Sequence, residues 1–129
     1  MIVRYTNKYC ASVDHAIRYG LHALCLDEVD GKLLVELNDS SVLHPNYYGD
    51  SIFDGIDEYE MRLFTRDLTV VFHELVHVMQ YSNYELELYT EGHGYWQGSL
   101  ITTTYGESPW EVEAFDLESK LLNSYMKSN

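Results

Sequence analysis

A chain of 129 residues with 46% hydrophobic content is sized for one compact domain with a single core. Eight Lys plus Arg against 21 Asp plus Glu leave a formal charge of −13, which repels phosphate backbones and anionic lipid. Nucleic-acid binding and membrane-surface binding are therefore set aside, as is a membrane span, because no apolar run approaches the roughly 18–20 residues required.

The N-terminal MIVRYTNKYC has no apolar signal core, so a cytoplasmic protein is the expectation. Cys10 and Cys25 lack a CxxC spacing and are read as reduced, largely buried thiols. Between Ser12 and Leu26, Val13, Ala16, Ile17, Leu21 and Leu24 recur at helical offsets, with Ser12 as the N-cap. Residues 32–38, KLLVELN, follow an Asp30-Gly31 turn signal and read as a strand. The stretch 38–57 is rich in turn formers and reads as loop, with a short strand at 51–53. Residues 60–82 read as one long helix, apolar over more than one face and hence buried. Residues 94–105, GYWQGSLITTTY, read as a strand pair or bulged strand. Ser108 as N-cap, Pro109 at N1 and Glu111 at N3 open a last helix with a capping-box start. This order predicts an α+β fold: one small domain over residues 1–129, its two main helices packed with a small, mainly antiparallel sheet.

The chemistry concentrates at His73-Glu74-Leu75-Val76-His77. Histidines four apart on a helix project from one face, one turn apart, where both can bind one ion. Glu74 begins about 100° round the helix, at the edge of such a site, placed to take a proton from a water. A buried helix is a costly place for two imidazoles and a carboxylate unless something satisfies them. The competing reading is a pair of core histidines bonded to backbone or tyrosine, with Glu74 solvated.

A catalytic zinc needs a third protein ligand. HExxHxxGxxH would require Gly at 80 and His at 83, where Gln80 and Asn83 stand, so that arrangement is excluded. The downstream candidates are Glu85, Glu87, Glu91, His93, Glu107, Glu111, Glu113 and Glu118. Glu111 and Glu113 lie on a helix able to pack against the first, but they are about 200° apart and cannot both face one ion. Ala114 shares the face of Glu111 and lets two helices approach closely, which favours Glu111; Glu113 and His93 remain alternatives.

HELVHVMQ followed by SPWEVEAF resembles the small gluzincin-type zinc metallopeptidases, in particular compact HExxH proteins common in phage genomes, over about residues 68–118. The resemblance implies a minimal zincin-like domain binding Zn2+ through His73, His77 and Glu111, with Glu74 as general base in hydrolysis of a peptide or protein substrate. It implies a host-cytoplasm or virion location for a phage-encoded chain. Relatives place an Asp four residues after the ligand glutamate to orient a histidine; Phe115 stands there, with Asp116 as substitute. Tyr95 and Tyr105 are the candidates for stabilising the oxyanion. The alternative function is a zinc-binding structural or interaction protein of a phage-like particle without peptidase activity. The oligomeric state is left open.

Overall fold

The computed structural model describes residues 1–39, 48–90, 93–103 and 107–128. The chain runs β1 (Ile2–Tyr5), α1 (Ala11–Ala23), β2 (Lys32–Leu37), β3 (Gly49–Phe53), β4 (Glu58–Leu63), α2 (Leu68–Ser82), β5 (Leu86–Thr90), β6 (His93–Trp96), β7 (Ser99–Thr102) and α3 (Pro109–Ser128). This is the expected single α+β domain. Its strands form two sheets: a four-stranded one in the order β1-β2-β4-β3 and a three-stranded one in the order β5-β6-β7. In the larger sheet β1 and β4 run parallel to β2, and β3 runs antiparallel to β4; the smaller sheet is antiparallel throughout.

The local chemistry explains the main elements, and the structure departs from expectation at four points. Residues 60–63 belong to a strand, not to the long helix. In EYEMRL the apolar Tyr59, Met61 and Leu63 are buried while Glu58, Glu60 and Arg62 are not, which is the period-two pattern of a half-buried strand. Helix α2 starts only after Asp67, whose carboxylate accepts the Thr69 N–H at 2.9 Å as an N-cap. The first helix is capped at Cys10 rather than Ser12, with no side-chain cap bond. The strands β1 and β5 had no counterpart in the sequence reading. Of the thiols, Cys10 is half-buried and Cys25 exposed.

Leu33, Val35 and Leu37 of β2, Met61 and Leu63 of β4, Val13, Ala16 and Ile17 of α1, and Val71, Phe72, Leu75 and Val76 of α2 make one fully buried cluster. Helix α2 is therefore covered by the sheet and α1, and α3 packs along it as well. This fixes the axial position and rotation of α2, so side chains on its remaining face are held rigidly. No helix among the described residues is long and apolar enough to cross a membrane.

The smaller sheet lies beside the same region, with β6 close against β5. A Cβ at Gly94 would collide with the Glu87 carbonyl oxygen and crowd the Leu88 Cα, so only glycine lets β6 lie against β5 there. Gly94→Ala is expected to destabilise the fold by about 1–3 kcal/mol, read from urea denaturation; an unchanged midpoint would contradict this packing.

Candidate metal centre

Helix α2 turns His73 and His77 toward α3, and α3 returns Glu111 from its first turn. The Nε2 atoms of both histidines converge on one oxygen, Glu111 Oε1, at 2.8 Å from His73 and 3.0 Å from His77. All three residues are buried, and their ligand atoms lie within 4.8 Å of one another. The Ser108-Pro109 start that legibly opens α3 is what delivers Glu111. Its carboxylate goes to the histidines rather than back to the helix terminus.

The His77 imidazole is also held from behind. His77 Nδ1 donates to Gln80 Oε1 at 2.8 Å, and the Gln80 amide in turn donates to the Trp110 carbonyl at 3.0 Å and to Glu113 Oε1 at 3.1 Å. Such a partner on one ring nitrogen leaves the other with its lone pair toward the centre, the arrangement metal-binding histidines use. His73 Nδ1 lies 3.5 Å from Glu118 Oε2, and the Phe115 ring stacks at a tilt with centroids 4.7 Å apart. Glu118, rather than Asp116, lies on that side of the ring; Asp116 is exposed and paired with Lys120. Glu118 is seven residues after Glu111, two turns along the same face.

The other sequence candidates lie elsewhere. Glu113 holds Gln80, His93 is exposed at the start of β6, and Glu85 bonds the Gln97 amide at 3.0 Å. Glu87 and Glu107 are exposed, and Glu91 and Tyr105 fall outside the described residues. Tyr95 lies on β6 beside Glu85 and Glu87, in a different hollow from the histidines. Neither cysteine joins the group.

Glu74 faces the opposite side of the centre from α3, toward β3. It is buried, and burial raises its pKa above the usual carboxylate range, against the pull of His77, His73 and Ser51. Ser51 of β3 donates to Glu74 Oε1 at 2.9 Å and to the Glu74 backbone carbonyl at 3.0 Å, sharing its hydroxyl between them. The backbone passes close here: a Cβ at Gly49 would stand 3.4 Å from Glu74 Cγ and 3.0 Å from the Arg62 carbonyl oxygen. Glu74, His77 and Glu111 open on a cavity of about 150 Å3, whose other walls include Ser51, Tyr81, Leu86, Leu88 and Trp110.

Strand β3 is the edge of its sheet, and its free side follows from the ladder. The Phe64 N–H donates to the Tyr48 carbonyl at 2.8 Å and the Asp54 N–H to the Glu58 carbonyl at 3.0 Å. Bonded pairs alternate in an antiparallel ladder, so Asp50–Arg62 and Ile52–Glu60 bond across to β4. Gly49, Ser51 and Phe53 then turn their N–H and C=O groups toward the open edge.

The donor set suits zinc. Neutral imidazole nitrogens with one carboxylate oxygen are common ligands of catalytic zinc, which spaces tetrahedral ligands at about 2.1 Å from the ion and about 3.4 Å from each other. The observed separations of 2.8 and 3.0 Å need only a small opening. No known protein family, curated protein or solved structure matches this chain.

By themselves the three groups form a buried ion pair. Burial lowers the His77 pKa, but the Glu111 hydrogen bond and the Glu74 and Glu111 charges outweigh it, raising the pKa from 6.5 to about 9. Burial raises Glu111, but the two histidines outweigh it, lowering its pKa from 4.5 to about 2. The stability supplied by His77 is thus complete below pH 6.5 and lost as pH rises through about 9. That supplied by Glu111 is complete above pH 4.5 and lost as pH falls through about 2. A metal ion competes with the His77 proton. Zinc uptake at pH 7 is expected to release close to one proton, and apparent affinity should rise about tenfold per pH unit from 7 toward 9. Calorimetry in buffers of different ionisation enthalpy reads both; a pH-independent affinity would contradict the assignment.

Proposed function

We propose that this protein is a zinc-dependent peptidase, with His73, His77 and Glu111 holding the metal and Glu74 as general base. One observation carries the reading: Glu74 stays outside the three-donor cluster and presents a buried carboxylate to the cavity that His77 and Glu111 also line. A purely structural zinc site is closed by its ligands and has no use for a fourth, separately supported acid beside an open space.

When bound, zinc supplies Lewis acidity, lowering the pKa of a water toward about 7 and polarising the scissile carbonyl. The remaining work falls to the chain. Glu74, with Oε1 fixed by Ser51, keeps Oε2 for the attacking water. It takes one proton as the water oxygen bonds to the carbonyl carbon, then passes it to the amide nitrogen as the C–N bond breaks, giving a carboxylic acid and an amine. Burial, which raises its pKa, makes it a stronger base toward that water.

Substrate placement follows from β3. An extended peptide adding to the open edge would pair with the backbone of Gly49, Ser51 and Phe53, directly beside Glu74. Strands β2 and β6 fit less well. The strand β2 is flanked on both sides, and β6 lies between β5 and β7. Leu86, Leu88 and Trp110 give the cavity an apolar end for one side chain next to the bond being cut.

Glu74→Gln is expected to keep one zinc per chain and to lower peptide hydrolysis by about 10²-fold or more, measured on a peptide library by mass spectrometry. Undiminished cleavage by the zinc-loaded variant would overturn the assignment of the base.

A further inference from the structure

Tyr81 lines the cavity with a hydroxyl that the mechanism above leaves unused. It stands seven residues after Glu74 on α2, on the same face, and one turn beyond His77. Its side chain is buried and packs near Phe53, with ring centroids 6.0 Å apart. Of the two side-chain hydroxyls lining the cavity, Ser51's is committed to Glu74. The other is Tyr81's.

That hydroxyl is weakly held. It donates to the Ser51 backbone carbonyl at 3.4 Å, whereas a good O–H···O bond is near 2.7–2.8 Å. The acceptor is telling, because Ser51 is one of the three residues whose carbonyls face the open edge of β3. A peptide strand adding to that edge would bring an N–H to the same oxygen. Burial, with Glu74, Glu111 and Asp50 nearby, holds the phenol neutral, so it is always a donor.

We propose that Tyr81 is a catalytic residue that donates its hydroxyl hydrogen bond to the oxyanion formed from the scissile carbonyl. Before substrate arrives the hydroxyl rests on the Ser51 carbonyl. The incoming strand takes that carbonyl, and the phenol turns to the developing negative charge in the cavity. Such a donor acts mainly in the transition state, since the bond strengthens as charge appears on the oxygen. This inference rests on the peptidase reading, and it replaces Tyr95, which lies in another hollow.

The test is Tyr81→Phe, which keeps the ring and its packing. Unchanged zinc content and melting temperature first establish that the variant is intact. Cleaved library peptides should then show kcat lowered by about 10²–10³-fold with KM unchanged or lower, because the variant also removes the competitor for the Ser51 carbonyl. Calorimetry with N-phosphoryl-leucinamide, whose tetrahedral phosphoryl group mimics the reacting centre, should show affinity lowered by at least tenfold. A kcat within about threefold of wild type, a raised KM at unchanged kcat, or unaltered phosphoryl-leucinamide affinity would each overturn the role of Tyr81 while leaving the peptidase reading in place. A zinc-loaded wild type that cleaves nothing in the library would overturn both together.

Discussion

The convergence of two imidazole nitrogens on a single carboxylate oxygen, inside the contact between α2 and α3, is the constraint on which the rest of this structure turns. Two buried histidines and a buried glutamate are expensive to desolvate, and removing any one partner leaves the others uncompensated. Their cost is offset by mutual bonding, and the geometry of that bonding sets how α3 lies along α2. Trp110 and Ala114 seat the same stretch of α3 with apolar contact, while Gln80 ties the Trp110 carbonyl to the His77 ring. Packing and polar satisfaction thus specify one arrangement, the condition for a preorganised site.

A second link joins the centre to the sheet. Glu74 points away from α3 and is gripped by Ser51, so the edge strand and the acid–base group form one unit. The strand that holds Glu74 from its inward side turns the backbone groups of Gly49, Ser51 and Phe53 to its outer edge, where the Ser51 carbonyl takes the Tyr81 hydroxyl. In the proposed reaction a peptide binding that edge is placed beside the carboxylate by the geometry of the ladder. Gly49 also lets β3 lie close to its neighbours, since a Cβ there would stand 3.0 Å from the Arg62 carbonyl oxygen and 3.2 Å from Val70 Cγ1.

Much of this was legible in the sequence, and the gaps have physical causes. The HExxH spacing and the Ser-Pro-x-Glu helix start are local signals, and the structure places His73, His77 and Glu111, which carry them, side by side. Residues 60–63 read as helix because Leu63, Phe64 and Leu68 fit helical spacing, yet Tyr59, Met61 and Leu63 alternate as in a strand, and tertiary burial decides between the two periods. The strand β1 exists through its parallel pairing with β2, which no four-residue window reveals. Gln80 and Glu118 were recoverable in principle, being three residues from His77 and seven from Glu111 on faces already assigned. Ser51 was not, because it reaches Glu74 across 23 residues from a different element.

The central claim is that His73, His77 and Glu111 hold a zinc ion. The most direct measurement is anomalous diffraction at the zinc edge from crystals of the zinc-loaded protein. The account predicts one peak per chain, bounded by the Nε2 atoms of His73 and His77 and the Glu111 carboxylate, within about 2.0–2.2 Å of each. A peak at any other site, or none at saturating zinc, would contradict it.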